Sequence, residues 1–88
     1  MIWETCEEIN KNLAIRFKKL RKRKGLTQEE LSIKSNVSYG SIKRFETTGN
    51  ISLLSLTKLC SALHLESEIN NLFSAPSYES IEEVINDK

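Results

Sequence analysis

The sequence predicts an all-α fold, five helices in one bundle plus a short C-terminal helix. Three observations predict it. Only three glycines and one proline punctuate the 88 residues, too few turn-formers for a sheet of short strands. Apolar residues recur at steps of three and four, the spacing that lines one side of a helix. Thr27-Gln28-Glu29-Glu30 and Ser80-Ile81-Glu82-Glu83 have the hydroxyl-x-x-carboxylate form that opens a helix. An apolar content of 39% suits a compact core and is too high for a disordered chain. A chain this short supplies a single small domain.

The first helix carries a stripe of Ile2, Cys6, Ile9, Leu13, Phe17 and Leu20. It ends near Lys24, where Gly25 supplies the stop and Arg21 to Lys24 oppose the negative end of the helix dipole. Its start is open between Asn10 and the acidic residues before it. A second helix runs from Gln28 to Ser35, with Leu31 inward and Asn36 as a left-handed end. Ser38 caps a third, Tyr39 to Thr47, in which Ile42 and Phe45 share one side. Gly40, Lys43, Arg44 and Thr47 lie opposite, and Tyr39 sits at the exposed first turn. Ser52 caps a fourth, whose inner stripe is Leu53, Leu56, Leu59, Cys60 and Leu63. Glu66 to Phe73 reads as a fifth, and Ser80 opens the C-terminal helix with Ile81, Val84 and Ile85 on one side.

Charge is distributed unevenly. Residues 1–10 hold three acids and no base, residues 11–58 twelve bases against three acids, and residues 59–88 one base against six acids. A basic body between acidic ends implies one surface for phosphate and others for different partners. The sequence divides accordingly: an acidic, helical extension at 1–9, a helical body at 10–74 that carries the basic run, and an acidic tail at 75–88 for partner or dimer contacts.

Several function classes are excluded as expectations. Cys6, Cys60 and His64 are too few and too scattered for a zinc site, so no metal and no cofactor is expected, and the two thiols are read as reduced and mostly buried. No apolar run approaches a membrane span, and the first residues lack the basic start of a secretory signal, so the expected location is cytoplasmic. No nucleophile, base and acid stand together, no glycine-rich phosphate loop is visible, and Glu82 and Glu83 are adjacent and point apart. No catalytic residue is assigned and no enzyme is expected. Trp3 is read as covering a core edge and His64 as a surface or cap residue. Tyr39 and Phe45 do not form the stacking platform of a single-stranded RNA binder.

Two short helices joined by a tight turn, the second exposing small, polar and basic side chains, have the layout of a helix-turn-helix. A helix fits the major groove of duplex DNA, where side chains of its first turns reach base edges. Residues 13–63 resemble the phage repressor and Cro family, often called the Xre family. The resemblance rests on Arg21-x-x-x-Gly25-Leu26-Thr27-Gln28-Glu29-Glu30-Leu31, then Val37-Ser38, Ile42, Glu46 and Gly49. It implies a five-helix, repressor-like bundle whose third helix enters the major groove.

By the same resemblance Gln28 is a phosphate contact at the start of the second helix. Ser38, Tyr39, Gly40, Ser41, Lys43 and Arg44 fall at or on the reading helix, and Thr47 where a polar side chain meets the DNA backbone. Arg21 and Glu46 match a structural ion pair. Some of the basic run Lys18 to Lys24, Arg21 excepted, is expected to meet phosphate. Three residues depart from the pattern: Ser32 replaces Ala and is expected to bond back to a carbonyl, Asn36 replaces a turn glycine, and Gly40 replaces a longer side chain.

Residues 37–53, with Asn70 to Phe73 and the tail, are similar to the branch of antitoxins that accompany HipA-type kinase toxins. The family dimerises beyond its fourth helix, which assigns Leu65, Ile69, Leu72, Phe73, Ile81, Val84 and Ile85 to a dimer or partner contact. The function implied is a dimeric repressor on a palindromic operator in double-stranded DNA, with a possible toxin partner. The alternative is a protein-interaction module that restrains a toxin or enzyme, with DNA secondary.

Overall fold

The computed structural model describes residues 4–74. They form five helices in the order α1 (Cys6–Arg23), α2 (Gln28–Ser35), α3 (Tyr39–Thr48), α4 (Leu53–Ala62) and α5 (Glu66–Asn70). The expectations for Ile2, Trp3 and the helix from Ser80, with Ile81, Val84 and Ile85, lie outside the described residues. Each of the first four helices starts at a hydroxyl cap. Thr5, Thr27, Ser38 and Ser52 are extended, and each accepts from the amide three residues on. Thr5 and Glu8 form a complete capping box, which places the start of α1 at Cys6, in the acidic extension rather than at Asn10.

The core contains Ala14, Phe17, Leu31, Val37, Ile42, Phe45, Leu59 and Leu63. Phe17 and Phe45 meet edge-on, ring centroids 5.4 Å apart, so the contact of α1 with α3 is aromatic. Gly49 ends α3 in a left-handed turn, φ +85°, and is pressed so closely on α1 that a Cβ there would lie 2.7–2.8 Å from backbone atoms of Asn10 and Lys11. That crossing explains the burial pattern of α1. Its covered residues are Ala14, Phe17 and Arg21: Phe17 keeps its place in the expected stripe, while Ala14 and Arg21 lie one step round from Leu13 and Leu20. Ile9 is 52% exposed and Cys6 is also exposed, because α1 overhangs the body before Asn10; Leu13, 39% exposed, lines a groove instead.

Other expectations are corrected. Leu53 is 68% exposed, since the first turn of α4 precedes its contact with the core, and Leu54 beside it is equally open. Leu59, Cys60 and Leu63 are covered, with Leu56 half so. Only one of the two thiols is buried, Cys60, and its burial pushes the thiol pKa up, with Glu68 and Glu66 adding to the effect. The Ser32 hydroxyl bonds forward, donating to the Val37 carbonyl at 2.6 Å, and so braces the turn between α2 and α3. α5 stops at Asn70 rather than Phe73: Leu72 and Ser74 donate to carbonyls three residues back, and Phe73 takes φ +62°. No residue of α5 is fully buried.

Candidate nucleic-acid interface

α3 is held from both ends and from its middle. Ser38 caps its start and shares a hydrogen bond with the Ser41 hydroxyl at 2.8 Å. Gly49 fixes its end against α1. Between them Ile42 and Phe45 enter the core, and Glu46 turns inward to a charged network. The Glu46 carboxylate accepts from Arg21 Nε at 2.7 Å and Nη2 at 2.9 Å, a two-point clasp. Arg21 Nη1 donates to the Leu26 carbonyl at 2.7 Å, and Gln28 Nε2 donates to Glu46 Oε1 at 2.9 Å. The Arg21–Glu46 pair thus ties α1, the following loop, α2 and α3. Both side chains of the pair are almost wholly buried, where a planar guanidinium meets a carboxylate with full directional strength.

The outer face of α3 has a different composition. Tyr39, Gly40, Ser41, Lys43, Arg44 and Thr47 are all exposed. The Lys43 ammonium lies 5.9 Å from the centre of the Tyr39 ring, and Thr47 Oγ1 donates to the Lys43 carbonyl at 2.8 Å. A Cβ added at Gly40 would meet nothing within 4 Å, so its small size serves no contact inside the domain. Tyr39, Lys43 and Arg44 are left free to face an outside ligand.

Gln28 sits at the head of α2, half-buried, with one amide hydrogen committed to Glu46 and the other still available. The first backbone amides of α2 carry the positive end of the helix dipole. Glu30 is folded back onto Thr27 in a capping box, and those hydrogen bonds hold its carboxyl below the usual glutamate range.

Sequence reasoning did not place a third polar element here. Asn50, Ser52 and Ser55, at the head of α4, border one shallow depression with Ser41 and Arg44. The cap signal of Ser52 was visible in the sequence, but its nearness to Arg44 follows from the turn at Gly49. The remaining candidates, Leu65, Ile69, Leu72 and Phe73, lie at α5, with Leu65 and Ile69 half-buried and Phe73 92% exposed.

A helix-turn-helix family model matches residues 17–69, more than half of the chain. The chain belongs to the helix-turn-helix family. Its turn is Asn36 to Ser38 and its second helix is α3, and as a member it carries a DNA-binding domain of the transcription-regulator type. Neither the curated proteins nor the solved structures yield a match. Among the described residues no helix is long and apolar enough to cross a membrane.

Proposed function

We propose that this helix-turn-helix chain is a sequence-specific repressor that reads double-stranded DNA with α3 and acts on its own promoter as a homodimer. The observation that carries the reading is the division of α3. Its inner side is fixed by Ile42, Phe45 and Glu46, while Tyr39, Ser41, Lys43 and Arg44 are exposed and take no part in the core. Arg44 and Lys43 suit guanine edges in the major groove. Gln28 with the head of α2 on one flank, and Asn50 with the head of α4 on the other, suit phosphates. Occlusion of the promoter is the mechanism, and it needs no cofactor and no catalytic step. Such a regulator works in the cytoplasm, where Cys6 and Cys60 stay reduced.

Dimerisation is supported by the open apolar end of α5, where Leu72 and Phe73 are exposed. A light-scattering mass of one chain, unchanged at tens of micromolar protein, would refute it. The similarity of residues 37–53 to antitoxins of HipA-type kinases supports a toxin-linked operon as the setting.

The test of the DNA reading is selection from random duplex DNA on the purified chain at about 150 mM salt, where non-specific attraction is weakened. The expected product is a palindrome with half-sites about one helical turn apart. A folded chain that enriches nothing refutes sequence reading and leaves the interaction module.

A further inference from the structure

The face of the domain away from α3's outer side holds an apolar groove of roughly 530 Å³. Its floor and walls are Leu13, Phe17 and Leu20 of α1, Leu56 of α4, and Leu65 and Ile69 at α5. One rim is basic: Arg16, Lys19 and Arg23 follow one another along α1 at steps of three and four and are all exposed, against one exposed acid of the lining, Glu68 on α5. None of the three forms an ion pair among the described residues. The groove therefore asks for a short helix with an apolar stripe flanked by acids.

The chain contains such a segment. Residues 78–87 carry Ile81, Val84 and Ile85 at helical spacing, and Glu79, Glu82, Glu83 and Asp87 with no base among them. We propose that this segment occupies the α1/α4/α5 groove of its own chain, apolar stripe inward and acids against Arg16, Lys19 and Arg23.

The dimensions agree. The basic rim and Leu13 span ten residue steps of α1, about 15 Å, and a helix from Ser80 to Asp87 is about 12 Å long. Leu72 lines the groove, so the tether starts at its edge, and the seven steps from Ser74 to Ile81 reach roughly 24 Å when extended. A tether this short gives the segment an effective concentration in the millimolar range, well above that of a second copy at micromolar protein. The proposal goes beyond the DNA reading and takes Ile81, Val84 and Ile85 out of the dimer contact, leaving Phe73 to the second copy.

The experiment is methyl NMR on the full chain without DNA. Nuclear Overhauser contacts are expected from the Ile81 and Val84 methyls to those of Leu13, Leu20 and Leu65. In a sample refolded from labelled and unlabelled chains, no such contact is expected between chains. In the Ile81→Asp/Val84→Asp variant, the methyl signals of Leu13, Leu20 and Leu65 should shift while those of Leu31 and Ile42 stay in place, which reports an intact core. Absence of the contacts in the wild-type chain, contacts only between chains, or unmoved groove signals in the variant would each overturn the proposal. Because DNA is absent, failure here is distinct from failure of the repressor reading.

Discussion

Replacing Gly49 by alanine tests the way α3 is seated on α1. Two costs combine there. The left-handed backbone, φ +85°, costs a non-glycine residue about 1–2 kcal/mol. The new methyl would lie 2.7 Å from the Asn10 carbonyl carbon and 2.8 Å from its oxygen and from the Lys11 nitrogen. All three are backbone atoms of a helix, so α1 itself has to retreat by about 0.7 Å to reach ordinary contact, and overpacking of this kind costs about 1–3 kcal/mol. The expected loss is about 2–5 kcal/mol in urea unfolding, a fall in Tm of at least about 10 °C for a domain of this size. Gly25 is the internal control. It has φ +76° and nothing within 4 Å of an added Cβ, so Gly25→Ala bears the backbone cost alone. Gly40 is the second control: helical, with open space around it, it should become more stable as alanine by up to about 1 kcal/mol. The order of stability is then Gly40→Ala, wild type, Gly25→Ala, Gly49→Ala. A Gly49→Ala variant no less stable than Gly25→Ala would refute the close seating of α3 on α1.

Arg21→Ala should cost about 3–5 kcal/mol, because it leaves the Glu46 carboxylate buried without its partner; a loss under about 1 kcal/mol in urea unfolding would mean that water reaches the pair. Thr27→Ala should remove about 1 kcal/mol by uncapping α2 and raise the Glu30 pKa part of the way to its ordinary value, followed by NMR titration of that carboxyl. Since the folded carboxyl titrates below the unfolded one, its contribution is present above the unfolded pKa and is lost as pH falls through the folded one; an unmoved Glu30 titration would contradict this cause. Arg44→Ala should lose about 1–3 kcal/mol of discrimination between selected and random DNA, measured by competition binding, whereas equal losses on both would make Arg44 a phosphate contact. Gln28→Ala should weaken binding to every sequence alike, and a changed preference would contradict that role.

Local chemistry was the legible part of this fold. The heads of α2 and α3 and the inward side of Ile42 and Phe45 depend on residues three or four apart, and sequence alone displays that spacing. Thr5-Cys6-Glu7-Glu8 carries the same cap signature, yet the acidic extension left the start of α1 open. What stayed hidden depends on where distant segments meet. Leu13 and Ala14 are equally plausible core positions until α3 is laid across α1. The three leucines at 53, 54 and 56 offer more apolar surface than the core can cover. The bond from Gln28 to Glu46 joins residues 18 apart, and no periodicity announces it. At α5, the apolar Leu72 and Phe73 suggested a longer helix, but the chain passes into tight turns after Asn70 and Phe73 takes a positive φ. At the interface, the outer residues of α3 were legible from their spacing, while the place of Asn50 and Ser55 beside Arg44 required the turn at Gly49.

The separation between the two sides of α3 has a consequence for how the chain can change. The residues that hold the helix are Ser38, Ile42, Phe45, Glu46 and Gly49, and none of the exposed side chains at 39, 43 and 44 is among them. Exchanges among non-glycine residues at such exposed positions typically change stability by no more than about 0.5 kcal/mol. If α3 reads DNA as proposed, its outer side chains can be exchanged one at a time without loosening the helix, so DNA preference and thermal tolerance can change independently.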